Sequence, residues 1–163
     1  MIIEGRAVVI TGDDVDTDVM YPGQYLNIDD PELMKPYLFE GYDPGLRDQL
    51  GDDAIIVTGR NFGIGSSREH PVQALKAWGV RAVVGPSFAR IFRRNCVNLG
   101  IPIVEAPEGA VAARPGSRIR IDTDTGDIDV DGQRYRAVPT APLVERLQDA
   151  GGLIAFAAER GGA

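Results

Sequence analysis

Cysteine is almost absent from this chain: Cys96 stands alone among 163 residues. One thiol excludes an internal disulfide framework. It also excludes a self-contained cysteine-ligated metal or iron–sulfur site, because such sites need several thiolates. Any such cofactor has to come from elsewhere. Long apolar runs are missing too. No stretch approaches the roughly 20 apolar residues that span a bilayer, and the start, MIIEGRAVVITGDD, has no basic segment followed by a long apolar one. The expectation is a cytoplasmic protein with no membrane partner. Basic residues are in deficit, 17 Lys and Arg against 24 Asp and Glu, for a formal charge of −7. Such a field repels phosphate backbones, so nucleic acid is not an expected partner. Internal repeats and low-complexity segments are also lacking.

What is present suffices for one domain over 1–163, a length that removes roughly 70% of the unfolded surface from water. IEGRAVVI reads as a first strand, ended at Thr11-Gly12. Residues 12–30, GDDVDTDVMYPGQYLNIDD, show no sustained period and read as a long functional loop, with Tyr21, Tyr25 and Leu26 arguing against simple disorder. Asp30 before Pro31 signals a short helix, limited by Pro36 and ended near Gly41.

DAIIVTG (53–59) then reads as a buried strand, HPVQALKAWG as a helix with Pro71 in its first turn, and RAVVGP as a second buried strand. This is a βαβ unit with parallel strands, and it places residues 60–70 at the carboxyl edge of the sheet. A second unit follows, with a helix in SFARIFRRNCVNLG, Ser87 as its expected N-cap, and a strand in IPIVEA. From 117 to 138, alternating apolar and polar residues around turn signals predict antiparallel hairpins, and the C-terminal PLVERLQDAGGLIAFAAERGG is helical in composition with a break at Gly151-Gly152.

The densest collection of small and polar residues, RNFGIGSSREHP, lies between the strand at 53–59 and the next helix. Backbone N–H groups and the helix dipole there favour an anion. It is not a Walker loop, since no Lys-Ser or Lys-Thr follows the glycines, and it lacks the third glycine of the dinucleotide fingerprint. Ser66 and Glu69 have the spacing of a capping box. Yet if Ser66 were the cap, Pro71 would lie five positions in, where its ring clashes with the carbonyl of Ser67. A helix starting nearer His70 or Pro71 instead leaves Ser66, Ser67 and Arg68 in the loop. His70, the only histidine, reads as a hydrogen-bonded structural residue rather than as a catalyst.

Taken together, GRNFGIGSSREHP, GPSFARIFRRNCVNLGIPIVE and GDDVDTDVMYPGQYL resemble the swivelling domain of the aconitase superfamily over residues 5–105. Because it is a swivel domain alone, the chain is similar to the small subunits of two-chain isopropylmalate dehydratases and homoaconitases. The resemblance implies an α/β fold of the swivelling β/β/α kind, with parallel βαβ units and an antiparallel hairpin region. It implies a large-subunit partner carrying a [4Fe-4S] cluster, no cofactor in this chain, and a hydroxy-diacid substrate whose hydroxyl moves to the neighbouring carbon.

The resemblance makes Ser66 the base, used as an alkoxide. A free serine hydroxyl is far too weak an acid for that without amide donors and positive charge, which Gly63, Gly65 and Arg68 are placed to supply. Arg68 would grip a substrate carboxylate with its planar fork, and Ser67 would add a hydrogen bond. Asp18 matches a family active-site aspartate, or else organises its own loop. Asn27 stands where family members specific for isopropylmalate usually carry Arg; it can bond a polar group but cannot form a bidentate ion pair. That leaves isopropylmalate as the first expected substrate and homoaconitase chemistry as the second. A non-catalytic anion-binding regulatory module is the alternative of a different class. Arg90, Arg93 and Arg94 read either as a partner-binding face or as a solvated one.

Overall fold

The computed structural model describes residues 1–161; Gly162, which the sequence assigns to the helical C-terminal segment, and Ala163 lie outside it. In chain order the elements are β1 (Ile2–Val9), α1 (Thr17–Met20), α2 (Pro31–Met34), β2 (Ala54–Val57), α3 (His70–Ala77), β3 (Ala82–Gly85) and α4 (Arg90–Leu99). They continue with β4 (Ile103–Glu105), α5 (Pro107–Ala112), β5 (Arg118–Asp122), β6 (Asp127–Val130), β7 (Gln133–Arg136), α6 (Pro142–Ala150) and α7 (Leu153–Gly161).

Among the described residues seven strands form one sheet in the order β4-β3-β2-β1-β5-β6-β7. β1 to β4 run parallel, and β1/β5, β5/β6 and β6/β7 pair antiparallel. Each parallel crossover steps in the same direction, so right-handed connections put α2, α3 and α4 on one face. There Val8, Ile56, Val83 and Ile103 pack with Met34, Val72, Leu75, Phe92 and Cys96. Residues one step along the same strands point the other way. Ala7, Ile55, Val57, Ala82 and Val84 meet Ile119, Ile121, Ile128, Val130 and Ala110 of α5. Covered on both faces, β2 and β3 are buried at every position, which is why they read as continuous apolar runs. β5 and β6 keep one wet face and alternate.

The sheet is curled. α5 touches β3 on one side and β6 and β7 on the other, and beyond β7 the Val138 N–H donates to the Glu105 carbonyl of β4 at 2.7 Å. The expected α/β fold with parallel βαβ units and a hairpin region is present. No described helix is long and apolar enough to cross a membrane.

One local expectation changes, and one element was not anticipated. Ser87 does not cap α4: the cap position is Ala89, with no side-chain bond. The reason is that Phe88 is still extended, bridged to Phe62, so the helix cannot begin before Arg90, and Ser87 Oγ accepts the Asn61 N–H instead. α5 was not legible in the sequence; it is a six-residue helix begun by Pro107 and interrupted in composition by Gly109.

Candidate active site

Three loops leave the carboxyl ends of parallel strands and meet, as the sheet topology requires. The loop after β1 and the loop after β2 are zipped together. Asp14 N–H donates to the Arg60 carbonyl at 2.9 Å, Gly63 N–H to that of Val15 at 2.9 Å, and Thr17 N–H to that of Ile64 at 2.8 Å. Carboxylates reinforce the seam: Asp13 accepts the Arg60 N–H at 2.7 Å, and Asp14 accepts Asn61 Nδ2 at 2.8 Å. Asp14 and Asn61 both adopt positive φ, 56° and 51°, which these two residue types tolerate best after glycine. The third loop, after β3, joins through the Phe62–Phe88 bridge. The close approach fixes Gly63: its φ is 90°, and a Cβ there would lie 2.3 Å from Phe92 Cγ.

Where the loops converge, Thr17, Asp18, Tyr21, Leu26, Ser66, Arg68 and Pro71 line a cleft of about 10 Å³, room for about one water. Larger hollows exist, one of about 140 Å³ beside the β5–β6 turn and α6 and one of about 420 Å³ along Glu4 and Arg118. Neither is lined by residues of the three converging loops. The small cleft is therefore the candidate site.

Ser66 is half-buried and does not cap α3, which starts at His70 with Glu69 at the cap position and no side-chain capping bond. Its Oγ accepts the Arg68 N–H at 3.2 Å, and its own N–H donates to Thr17 Oγ1 at 3.1 Å. The amide of Gly63 is already spent on Val15, so the donor on Ser66 Oγ comes from Arg68. The Arg68 side chain is exposed and makes no ion pair among the described residues. Asp18 is exposed on the same cleft; the loop-organising role belongs to Asp16, whose Oδ1 accepts the Asp18 N–H at 2.7 Å. The structure thus brings Ser66, Arg68 and Asp18 together. Ser67 and Asn27 are exposed and do not line the cleft, although Leu26 beside Asn27 does.

Tyr21 closes the inner wall. Burial, followed by the neighbouring Tyr37 and Tyr25, pushes its phenol above the usual value, so it stays protonated and donates to the Tyr25 carbonyl at 2.8 Å. Its ring stacks on His70 at 5.6 Å between centroids. Among the described residues the His70 Nδ1 is buried without a hydrogen-bond partner. Cys96 lies wholly inside the core, and burial pushes its thiol far up. Among the described residues no group of three or more His, Cys, Asp or Glu is placed to hold a metal. The donor set of this chain does not fit an iron–sulfur cluster.

The Aconitase C-terminal domain family matches residues 40–108. The chain is 43% identical over 162 residues to the 3-isopropylmalate dehydratase small subunit of Moorella thermoacetica, covering 98% of this chain and 97% of that one. It is 46% identical over 148 residues to the same-named subunit of Aliarcobacter butzleri, covering 90% and 89%. The chain belongs to the 3-isopropylmalate dehydratase small-subunit family. Its fold is that of the crystal structure of 3-isopropylmalate dehydratase from Methanocaldococcus jannaschii, at a TM-score of 0.92 and 37% identity, covering 99% of this chain and 96% of that one. Family membership thus extends across the β1 loop with Asp18 and Asn27, and across β5 to α7, outside the Aconitase C-terminal match.

Thr17, not named among the candidates from sequence, also lines the cleft. Flanked by Asp16 and Asp18 it reads as a loop residue, but it is 3% exposed, and only the pairing of two loops distant in sequence reveals its hydroxyl under Ser66.

Proposed function

We propose that this chain is the small subunit of a two-chain hydro-lyase that interconverts 2-isopropylmalate and 3-isopropylmalate in leucine biosynthesis, in the cytoplasm. The observation that carries the reading is the match, over almost the whole chain, to subunits of that name. The reaction removes a proton from one carbon and a hydroxyl from its neighbour as water, then returns water in the opposite sense. A [4Fe-4S] cluster in the large subunit would supply Lewis acidity to the departing hydroxyl; nothing in this chain fits it.

The residues of this chain divide the remaining tasks. Ser66 Oγ takes and returns the carbon-bound proton, with the Arg68 N–H as the donor that favours its ionised form. The free Arg68 guanidinium binds a substrate carboxylate through paired hydrogen bonds. Asp18, exposed on the same cleft, orients the hydroxyl side of the substrate, while Ser67 and Asn27 lie close enough along the chain to join once substrate and partner close the site. A cleft of about 10 Å³ cannot enclose a hydroxy-diacid, so the substrate lies across its mouth and the large subunit forms the other wall.

Leu26, Tyr21 and Pro71 give the cleft an apolar side suited to an isopropyl group. Among the described residues Arg68 is the one cation on its wall, so a third carboxylate, as in homoaconitase substrates, would find no second counter-charge there. The test is to co-purify the chain with its large subunit and assay both diacid classes. Turnover of isopropylmalate by the complex, with none by this chain alone, is the expected result. Preference for a tricarboxylate would move the reading to homoaconitase, and binding of a diacid without turnover by the complex would leave a regulatory module.

A further inference from the structure

We propose that Thr17 and Asn95 are positioning residues that hold the Ser66–Ser67 dipeptide from opposite sides and thereby aim the Ser66 hydroxyl. This inference rests on the reading of Ser66 as the base.

Both side chains are among the most deeply buried polar groups of the protein, at 3% and 5% exposure, and a buried polar group is costly unless bonded. Each spends a bond on the same dipeptide. Thr17 Oγ1 accepts the Ser66 N–H at 3.1 Å, and Asn95 Nδ2 donates to the Ser67 carbonyl at 3.2 Å. The two residues come from unrelated places. Thr17 opens the one-turn α1 after β1, and Asn95 lies midway along α4. Thr17 grips the loop a second time through its own N–H on the Ile64 carbonyl. The peptide groups before Ser66 and after Ser67 are therefore both fixed.

Between these anchors the Arg68 N–H points at Ser66 Oγ, so the hydroxyl direction depends on a backbone that the two buried side chains define. Cα position and rotamer range of a serine follow its backbone, and a misplacement of about 1 Å in a reacting group can cost roughly 100-fold in rate. The Thr17 hydroxyl accepts from the part-buried Ser66 amide, so a purely apolar replacement removes that partner and leaves the N–H free to reorient the loop.

The experiment compares Thr17→Val, Thr17→Ser, Asn95→Leu and Ser66→Ala in the assembled two-chain enzyme, reading wash-out of carbon-bound deuterium from the substrate together with KM. The expected result is a fall of about 10-fold to 100-fold in wash-out for Thr17→Val and Asn95→Leu, KM within about twofold, and recovery of most of the rate in Thr17→Ser, which keeps the acceptor. Wash-out at the wild-type rate in both apolar variants, or equal loss in Thr17→Val and Thr17→Ser, overturns the proposal. If Thr17→Val does not assemble, Asn95→Leu decides alone by the same criteria. The Ser66→Ala arm separates the two readings: slow wash-out there with normal Thr17→Val and Asn95→Leu removes only the positioning roles, whereas normal wash-out in Ser66→Ala removes the base assignment itself.

Discussion

Gly65 packs so tightly on the carboxylate of Asp16 that a Cβ added to it would lie 2.5 Å from Asp16 Oδ1, and its φ of 104° is one that side chains rarely adopt. The same oxygen accepts the Asp18 N–H and thereby starts α1. Gly65→Ala must therefore distort either the Ser66 loop or the turn that presents Asp18. The expected cost is about 1–3 kcal/mol from strain and overpacking, with turnover reduced at least about tenfold by displacement of either group. Thermal unfolding and turnover of the variant complex check both numbers together.

The parts of the fold written in local pattern were legible: the buried runs at 54–57 and 82–85, Pro71 at the start of α3, and the alternation of β5 and β6. The candidates Ser66 and Arg68 could be named for the same reason, since they lie on one short segment, and both line the cleft. Contacts between distant segments were not legible. Ser87 has the sequence of a helix cap, yet the Phe62–Phe88 bridge holds the chain extended past it. Thr17 and Asn95 lie inside the motifs of the family resemblance, but no local pattern shows the hydrogen bonds their buried side chains make, because these form only when the β1 loop and α4 meet the loop after β2. The curl that folds β7 back toward β4 is likewise tertiary, carried by α5 as a shared core element.

Cys96 offers a check on the core that is independent of activity. Its complete burial raises the thiol well above its ordinary value, and it is the thiolate that reacts. Iodoacetamide should leave the folded chain unlabelled at neutral pH and label it stoichiometrically in denaturant. Labelling of the native chain at the rate of a free thiol would contradict the packing of α4 against the sheet.

Asp131 gives a pH signature. The Ser117 hydroxyl, aided by the Arg118 N–H, holds its carboxyl below the usual carboxylate range. A folded pKa below the unfolded one stabilises the protein above the unfolded value, and that stabilisation is lost as pH falls through the folded value. Asp131→Asn keeps a residue type that tolerates the positive φ of 50° here. It should melt below the wild type near neutrality, and the gap should close as the medium is acidified past the carboxylate range. A gap that persists in acid would assign the effect to packing rather than to the charge.

Arg68→Lys separates charge from geometry. The guanidinium has no ion pair among the described residues and its side chain is exposed, so folding does not depend on it, and stability should change by less than about 0.5 kcal/mol. An ammonium keeps the charge but cannot reproduce a planar pair of donors. Losing one charge-assisted hydrogen bond of about 1.5–3 kcal/mol should lower kcat/KM by roughly 10-fold to 100-fold. Unchanged steady-state constants for the lysine variant would remove Arg68 from the substrate carboxylate.

Ser66→Ala is the decisive substitution, because the fold has already removed its competing role. As a helix cap, Ser66 would owe the protein about 1 kcal/mol, but α3 begins at His70 and carries no side-chain cap. The hydroxyl accepts one loop hydrogen bond, from the Arg68 N–H, and a bond of that kind contributes about 0.5–1.5 kcal/mol. A small loss of stability is therefore expected, with the complex still assembled and the substrate still held by Arg68. Loss of a positioned base, in contrast, should reduce kcat by roughly 10²-fold to 10⁴-fold. Wash-out of the substrate's carbon-bound deuterium reports that proton transfer directly and does not depend on how the hydroxyl departs. Slow wash-out with near-normal melting and affinity makes Ser66 the group that takes the proton; wash-out at the wild-type rate would require another residue, from the partner subunit or this chain, to do so.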